Sequence, residues 1–155
     1  MDRERLLGDK KKSFLNKEIK AFEKKFPQFR IALHVTRLPK DLDVRMLGYW
    51  LLNFCPFAEG ESAEMREGTL LFVIDCMNRQ AGLTVGYRLD PFLSDDKGTR
   101  LLAEAREDFQ SGDYVAGMRV ILAGIRGHLS RQCAVVEEIA KSYLRAPKPD
   151  LKASR

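Results

Sequence analysis

Cysteine is scarce in this 155-residue chain: there are three, Cys55, Cys76 and Cys133. They lie far apart, are odd in number and form no Cys-x-x-Cys pair, which excludes a zinc ribbon and a disulfide framework and leaves reduced, partly buried thiols. Histidine is scarcer still, with only His34 and His128. Neither stands in a motif with Ser or Cys, so no nucleophile-base-orienter triad can be read. A phosphate-binding glycine loop is absent, as are internal repeats and low-complexity blocks. No apolar run approaches the roughly 18 to 20 residues needed to span a bilayer. The first residues, Met1 to Arg5, alternate charge before a bare Leu6-Leu7, so no signal-peptide core is expected and the chain reads as cytoplasmic.

What is present describes a folded protein. Hydrophobic residues make up 45% and charged residues 32%, which excludes a disordered chain. The length suits a single domain, expected over residues 1–145, with a polar, proline-bearing tail at 146–155. The net charge of +5 suggests an anionic partner, but its distribution does not favour nucleic acid. Lys10, Lys11, Lys12, Lys17, Lys20, Lys24 and Lys25 share one helical segment with Glu18 and Glu23, away from its apolar stripe. A solvated helix face explains them. No aromatic-interleaved RNA motif or helix-turn-helix pattern accompanies them, so no specific nucleic acid is implied. Contact of this basic face with an anionic or membrane surface stays open.

The periodicity predicts alternating helices and strands. Leu15, Ile19, Phe22 and Phe26 mark a helix from about Asp9 that Pro27 ends. Arg30 to Leu38 alternates as a strand, with Ile31, Leu33 and Val35 on its more buried side. His34, on the other side, reads as a hydrogen-bonded strand residue or as an acid-base group. Asp41 or Asp43 caps a second helix, with Leu47, Trp50, Leu51 and Phe54 expected inward. Phe57 to Gly68 reads as an acidic loop and the expected mobile element. Thr69 to Ile74 is continuously apolar, as befits a strand covered on both faces. After a short turn through Cys76, Met77, Asn78 and Arg79, Gln80–Val85 returns, too soon for a helical crossover, so the two strands should be antiparallel. Ser94 caps a third helix carrying Leu101, Leu102, Ala105 and Phe109. Gly112-Asp113 opens a fourth with Tyr114, Met118, Ile121, Leu122, Ile125 and Leu129. Gly117 and Gly124 share a face of that helix, where close packing is expected to offset a cost of roughly 1 kcal/mol each. Val136, Ile139, Ala140 and Tyr143 continue the period as an extension or a last helix.

Glu67-Gly68 leading into the apolar strand, Asn78-Arg79 in the turn, Gly86-Tyr87-Arg88-Leu89, Leu93-Ser94-Asp95, and Gly112-Asp113-Tyr114 with Gly117 follow one another at spacing that resembles the TPM domain family, over roughly residues 9 to 130. The resemblance implies an α/β fold, a three-layer α/β/α sandwich whose small mixed sheet of three to four strands is flanked by helices. Family members are linked to acid phosphatase activity, calcium binding, photosystem repair and receptor assembly. The chain departs from the family pattern in three places. Asn78 stands where an aspartate is usual, the turn before Arg79 is one residue longer, and Arg88 replaces the second glycine of a Gly-Tyr-Gly corner. At that corner strain or rebuilding is expected.

Chain direction divides the acidic residues between two rims. If the first strand and Thr69–Ile74 run parallel, one rim gathers Arg37, Asp41, Asp43, Asp75, Asn78 and Arg79. The return of the third helix brings Asp113 to the same place. Asp90, Asp95 and Asp96 fall on the opposite rim. The first rim lies beyond the carboxyl ends of parallel strands, where open α/β sheets bind ligands. Asp75, Asn78 and Asp113 offer oxygen ligands to Ca2+ or Mg2+, with Asp90, Asp95 and Asp96 as the alternative cluster. Asp75, Asp113 and Arg79 are the candidate catalytic groups, Arg79 as a phosphate clamp. Against these readings, Asp43 and Asp113 serve equally as helix caps, Asp75 as a turn residue, and Tyr87 and Tyr114 as packing groups. Two functions follow: a non-catalytic or weakly active module that binds a protein partner or assembles with other subunits, or a divalent-cation-dependent phosphatase.

Overall fold

The computed structural model describes residues 7–56, 60 and 62–145; the expected tail at 146–155 lies outside them. Among these residues six α-helices and three strands follow in order: α1 Asp9–Lys25, β1 Arg30–Thr36, α2 Val44–Phe54, α3 Ala63–Glu67, β2 Thr69–Asp75, β3 Gln80–Val85, α4 Asp95–Glu104, α5 Arg106–Ser111 and α6 Tyr114–Arg145. The sheet has the order β1-β2-β3. β1 runs parallel to β2, with Arg30 beside Thr69 and Thr36 beside Asp75. β3 is antiparallel to β2, with Asp75 opposite Gln80 and Leu70 opposite Val85.

The central strand explains the layers. Every residue of β2 is buried, and successive side chains point to opposite faces. Leu70, Phe72 and Ile74 enter the larger core with Leu15, Ile19 and Phe22 of α1 and with Met118, Ile121, Leu122 and Ile125 of α6. Leu71 and Val73 meet Val44 and Leu52 of α2 on the other side. The result is a mixed three-stranded sheet between helices. Within the larger core the glycines of α6 permit close approach. A methyl group at Gly117 would lie 2.8 Å from the Phe109 ring, and one at Gly124 would collide with Leu101.

Three local readings need correction, and two open alternatives, at Arg88 and at the end of α6, are decided. In α2 the buried residues are Val44, Gly48 and Leu52, and Leu47 and Leu51 pack against them as expected, but Trp50 and Phe54 are exposed. The seat on the sheet is made by glycine: a methyl at Gly48 would strike Thr84, and one at Gly82 would lie 3.3 Å from Val44. A tight helix–sheet contact therefore selects a stripe that hydrophobicity does not mark. Within the supposed acidic loop, α3 forms because Ser62 caps it, its hydroxyl accepting from the Met65 amide at 3.3 Å; residues 57–59 and 61 lie outside the described set. The third helix is two, α4 and α5, meeting at Ala105. Arg88 is not strained: Tyr87–Leu89 is a right-handed 3-10 turn, and Arg79 is the only non-glycine residue with positive φ among those described. The second α6 segment is an unbroken extension rather than a separate helix.

Candidate functional site

Parallel pairing sets the carboxyl ends of β1 and β2 side by side, and there the chain turns sharply. Asp75, 1% exposed, is the hub of that turn. Its Oδ1 accepts from the amides of Leu38 at 3.1 Å, Met77 at 2.9 Å and Asn78 at 3.4 Å. Its Oδ2 accepts from Asn78 Nδ2 at 2.6 Å. Asn78 Nδ2 also reaches the Leu38 carbonyl at 3.0 Å. The two side chains together tie the β1 exit to the β2–β3 turn across about 40 residues of sequence. Bonds of this kind to backbone amides satisfy the hydrogen-bonding capacity of a buried carboxyl group.

Arg79 follows with φ of 53°, a conformation few bulky residues adopt. The twist sends its side chain across to α5, where Nη1 donates to the Gln110 carbonyl at 3.0 Å. One residue past Asp113, the Tyr114 hydroxyl donates to the Cys76 carbonyl in a long contact of 3.4 Å. Burial, then the neighbouring Cys76, raises the Tyr114 pKa above its ordinary 10.0. The end of α5 and the start of α6 thus return to the rim that holds Asp75. Asp113 caps α6, its Oδ1 accepting from the Ala116 amide at 3.2 Å. Asp43 caps α2 through the Arg45 amide at 2.7 Å.

Two shallow cavities flank the turn. One, of about 470 Å3, is lined by Lys40, Asp41, Leu42, Asp43, Asn78 and Gln80. The other, of about 320 Å3, lies between Asn78, Arg79 and Gln80 on the turn and Arg106 and Gln110 on α5, floored by Leu102 and Phe109. Arg106 and Gln110 were missed in the sequence because they mark only the polar side of a helix; the turn brings Arg79 to them. On the opposite rim, Asp90 ends the 3-10 turn, while Asp95 and Asp96 occupy the first turn of α4, where the helix dipole favours them. Asp96 also meets Arg100 at 3.5 Å on the exposed surface.

These residues do not fit a cation cage. Asp75 spends both oxygens on N–H donors, and Asn78 turns its amide nitrogen to the same carboxylate. Among the described residues no three acidic, His or Cys groups come together in a way that would hold a metal ion.

A larger unassigned feature lies on the far side of the sheet. Met46, Tyr49, Trp50 and Phe54 of α2 are 57%, 57%, 54% and 63% exposed. The rings form one patch: Trp50 lies 4.7 Å from Phe54 and 6.4 Å from Tyr49, centroid to centroid. With Val44, Gly48 and Leu52 seated on the sheet, α2 is apolar nearly all round. A signal was available in the sequence, since Arg45 and Asn53 are the helix's only charged or amide side chains, too few for a solvated outer face.

The fold has solved counterparts. The N-terminal domain of a protein from P. gingivalis is similar at 18% identity, with 82% of this chain and 78% of that one covered and a TM-score of 0.65. The BA42 protein of the psychrophilic bacterium Bizionia argentinensis is similar at 14% identity, 83% and 85% coverage and a TM-score of 0.61. At such identity the likeness concerns the fold. No curated protein matches the sequence. No helix among the described residues is long and apolar enough to cross a membrane. The profile of the TPM domain matches residues 1–127, and with that match, the mixed sheet and the Asn78-Arg79 turn, the chain belongs to the TPM domain family.

Proposed function

We propose that this TPM domain is a non-catalytic binding or assembly module, and that the outer face of α2 is its docking surface for a protein partner. The exposed aromatic patch Met46, Tyr49, Trp50 and Phe54 carries the reading. Aromatic residues and methionine are enriched at interface centres, and an exposed apolar cluster of this kind marks an interaction site. The acidic rim supports it from the other side, because Asp75, Asp43 and Asp113 are engaged with backbone amides. A protein partner suits the patch better than a membrane surface. Interfacial helices pair an apolar face with nearby basic residues, whereas the lysine row of α1 packs on the opposite side of the sheet from α2. The reading takes the protein as cytoplasmic, consistent with cysteines not joined by disulfides.

The test is photo-crosslinking in cells from an unnatural residue at Trp50 or Met46, against Lys20 on α1 as control. A discrete protein adduct from the α2 positions alone is expected. No adduct from α2, or a purified protein that turns over phosphoesters with divalent ions and loses this with Asp113→Ala, overturns the reading.

One observation favours a second reading, phosphoester recognition or hydrolysis. Arg79 and Arg106 face one cavity of about 320 Å3 beside Gln80 and Gln110, a donor-rich setting for an anion. The Ca2+ or Mg2+ expected with such chemistry would need ligands beyond Asp75 as it is now bonded. Calorimetric titration with both ions separates the readings: no heat and no thermal shift are expected of a binding module.

A further inference from the structure

The two edges of the sheet are finished differently. The order β1-β2-β3 leaves one long side of β1 and one of β3 without a neighbouring strand. On β1 the Arg30 amide donates to the Gly68 carbonyl at 2.9 Å, so the next amide, that of Ile31, points away from β2. Glu23 of α1 covers it, with Oε1 accepting at 2.8 Å. On β3 the Gly86 amide donates to the Thr69 carbonyl at 2.9 Å. The bonded pairs of the ladder are therefore Leu71 with Thr84, Val73 with Gly82 and Asp75 with Gln80. Ala81, Leu83 and Val85 turn their N–H and C=O groups outward, and among the described residues nothing bonds to them. Nor does β3 carry a proline or a charge, the usual devices that blunt an open edge. Every residue of β2 is buried, whereas in β3 only Gly82 is.

One end of this edge opens into the cavity of about 320 Å3 described above. Gln80 and Ala81 of the strand line it together with Arg79 and Arg106, and no carboxylate does. Arg79 is held by the Gln110 carbonyl, while Arg106 is exposed and makes no ion pair with a described residue. The floor is apolar, from Leu102 and Phe109. The side chains of Ala81, Leu83 and Val85 pack on that same side of the sheet, against the larger core.

We propose that the outer edge of β3 is a peptide-docking site, and that its occupant is the extended carboxyl-terminal segment of a partner protein, added antiparallel to β3. Charge fixes the direction. An antiparallel strand brings its carboxyl end to Gln80, where Arg79 and Arg106 offer two guanidinium groups to a carboxylate. A parallel strand would bring its charged amino end to the same two cations. With the last peptide residue opposite Ala81, its carboxylate accepts from the Ala81 amide at the mouth of the cavity. The residues two and four places earlier then pair with Leu83 and Val85. Side chains at these three peptide positions lie on the face that Ala81, Leu83 and Val85 share. The last one therefore sits over Leu102 and Phe109, which selects an apolar residue. Main-chain bonds supply affinity, and the carboxylate and last side chain supply selectivity. The site does not rest on the α2 patch, and it assigns the arginine cavity to a carboxylate rather than a phosphoester.

Two measurements on the full chain test the proposal. The first is amide hydrogen exchange by NMR. In the free protein the amides of Ala81, Leu83 and Val85 are expected to exchange fast while those of Gly82 and Thr84 are protected. Protection of the outward three before any peptide is added, whether by a second copy or another segment, overturns the proposal. The second is binding to an array of synthetic peptides with randomised last positions and free carboxyl ends, printed beside amidated twins. Peptides ending in an apolar residue should bind, slow the exchange of the three outward amides, and weaken by about tenfold or more on amidation. Arg106→Gln should weaken the free-carboxyl peptides by a similar factor and leave the amidated twins unchanged. Trp50→Ser should leave all of them unchanged. Absence of any peptide binding below about 1 mM overturns the proposal. So does equal binding of the amidated twins, or a peptide site lost with Trp50→Ser but indifferent to Arg106→Gln.

Discussion

Asp75 shows how one carboxylate can hold a rim together without doing chemistry on a substrate. Three amides and one side-chain amide converge on it, and removing it would leave those donors buried or loosely solvated. Asp75→Ala is expected to cost about 3 kcal/mol, since bonds to a charged group contribute more than neutral ones and orphaned donors add a desolvation penalty. Urea denaturation measures it; a loss under about 1 kcal/mol would show that the turn stands without its carboxylate. The glycine corner allows a sharper contrast. A methyl on Gly86 would collide with the Glu67 carbonyl and lie 2.7 Å from that of Arg66, both backbone atoms that cannot swing aside. Gly86→Ala should therefore cost about 2 kcal/mol or more. Arg88 occupies ordinary right-handed backbone, so Arg88→Gly, which restores the residue the family pattern carries, relieves nothing and is expected to destabilise by about 0.5 kcal/mol. A stabilising Arg88→Gly would contradict the 3-10 turn. Glycine letters in the sequence announced this corner, but which glycine is indispensable depends on α3, whose carbonyls crowd Gly86.

Among the elements, α2 and α6 have in common more apolar surface than their own domain buries. In α2 the inner stripe is short-sided because Gly48 draws the helix onto β3, and the bulky residues are left outside. Trp50→Ser and Phe54→Ser should change stability by less than about 0.5 kcal/mol each, the range for exposed positions away from caps and cores. The crosslinked adduct should disappear in the same variants. A loss of several kcal/mol would place these rings in the core. Trp50 is the only tryptophan, so its emission should report a solvent-exposed indole in the free protein and shift to shorter wavelength when a partner covers it. Helix identity and most boundaries were legible from caps and breakers, including Asp43, Ser94, Pro27 and Gly112. Helix orientation was less so: periodicity ranks faces by hydrophobicity, while close packing ranks them by size.

The whole molecule is a sheet with unequal cover: four helices on one side and α2 on the other. Its rims differ as well, because β3 carries the chain away from Asp75, and α4 followed by α5 brings it back. The return is held partly by Tyr114, whose hydroxyl donates to Cys76 and whose pKa is raised by burial. The sign follows from linkage. The folded state holds the phenol proton more tightly than the unfolded state, so this contribution is complete below pH 10, the unfolded value, and falls as pH rises beyond it. Wild-type stability should therefore decline through the alkaline range more steeply than that of Tyr114→Phe. Thermal melts at pH 8 and at about pH 10.5 distinguish the two, and equal slopes would refute the link.

Residue order alone determined the three strands and helices α1, α2 and α6, the antiparallel β2–β3 hairpin, the burial of β2 and the sorting of acidic residues to two rims, because periodicity, caps and chain length are local and additive properties. Tertiary structure alone decided three further matters. Asp75 became a clamp for amides, Arg79 met Arg106 across a cavity, and α2 kept its rings outside. Each depends on which backbone approaches which at the scale of a methyl group, and that distance belongs to the packed ensemble of elements rather than to any one of them.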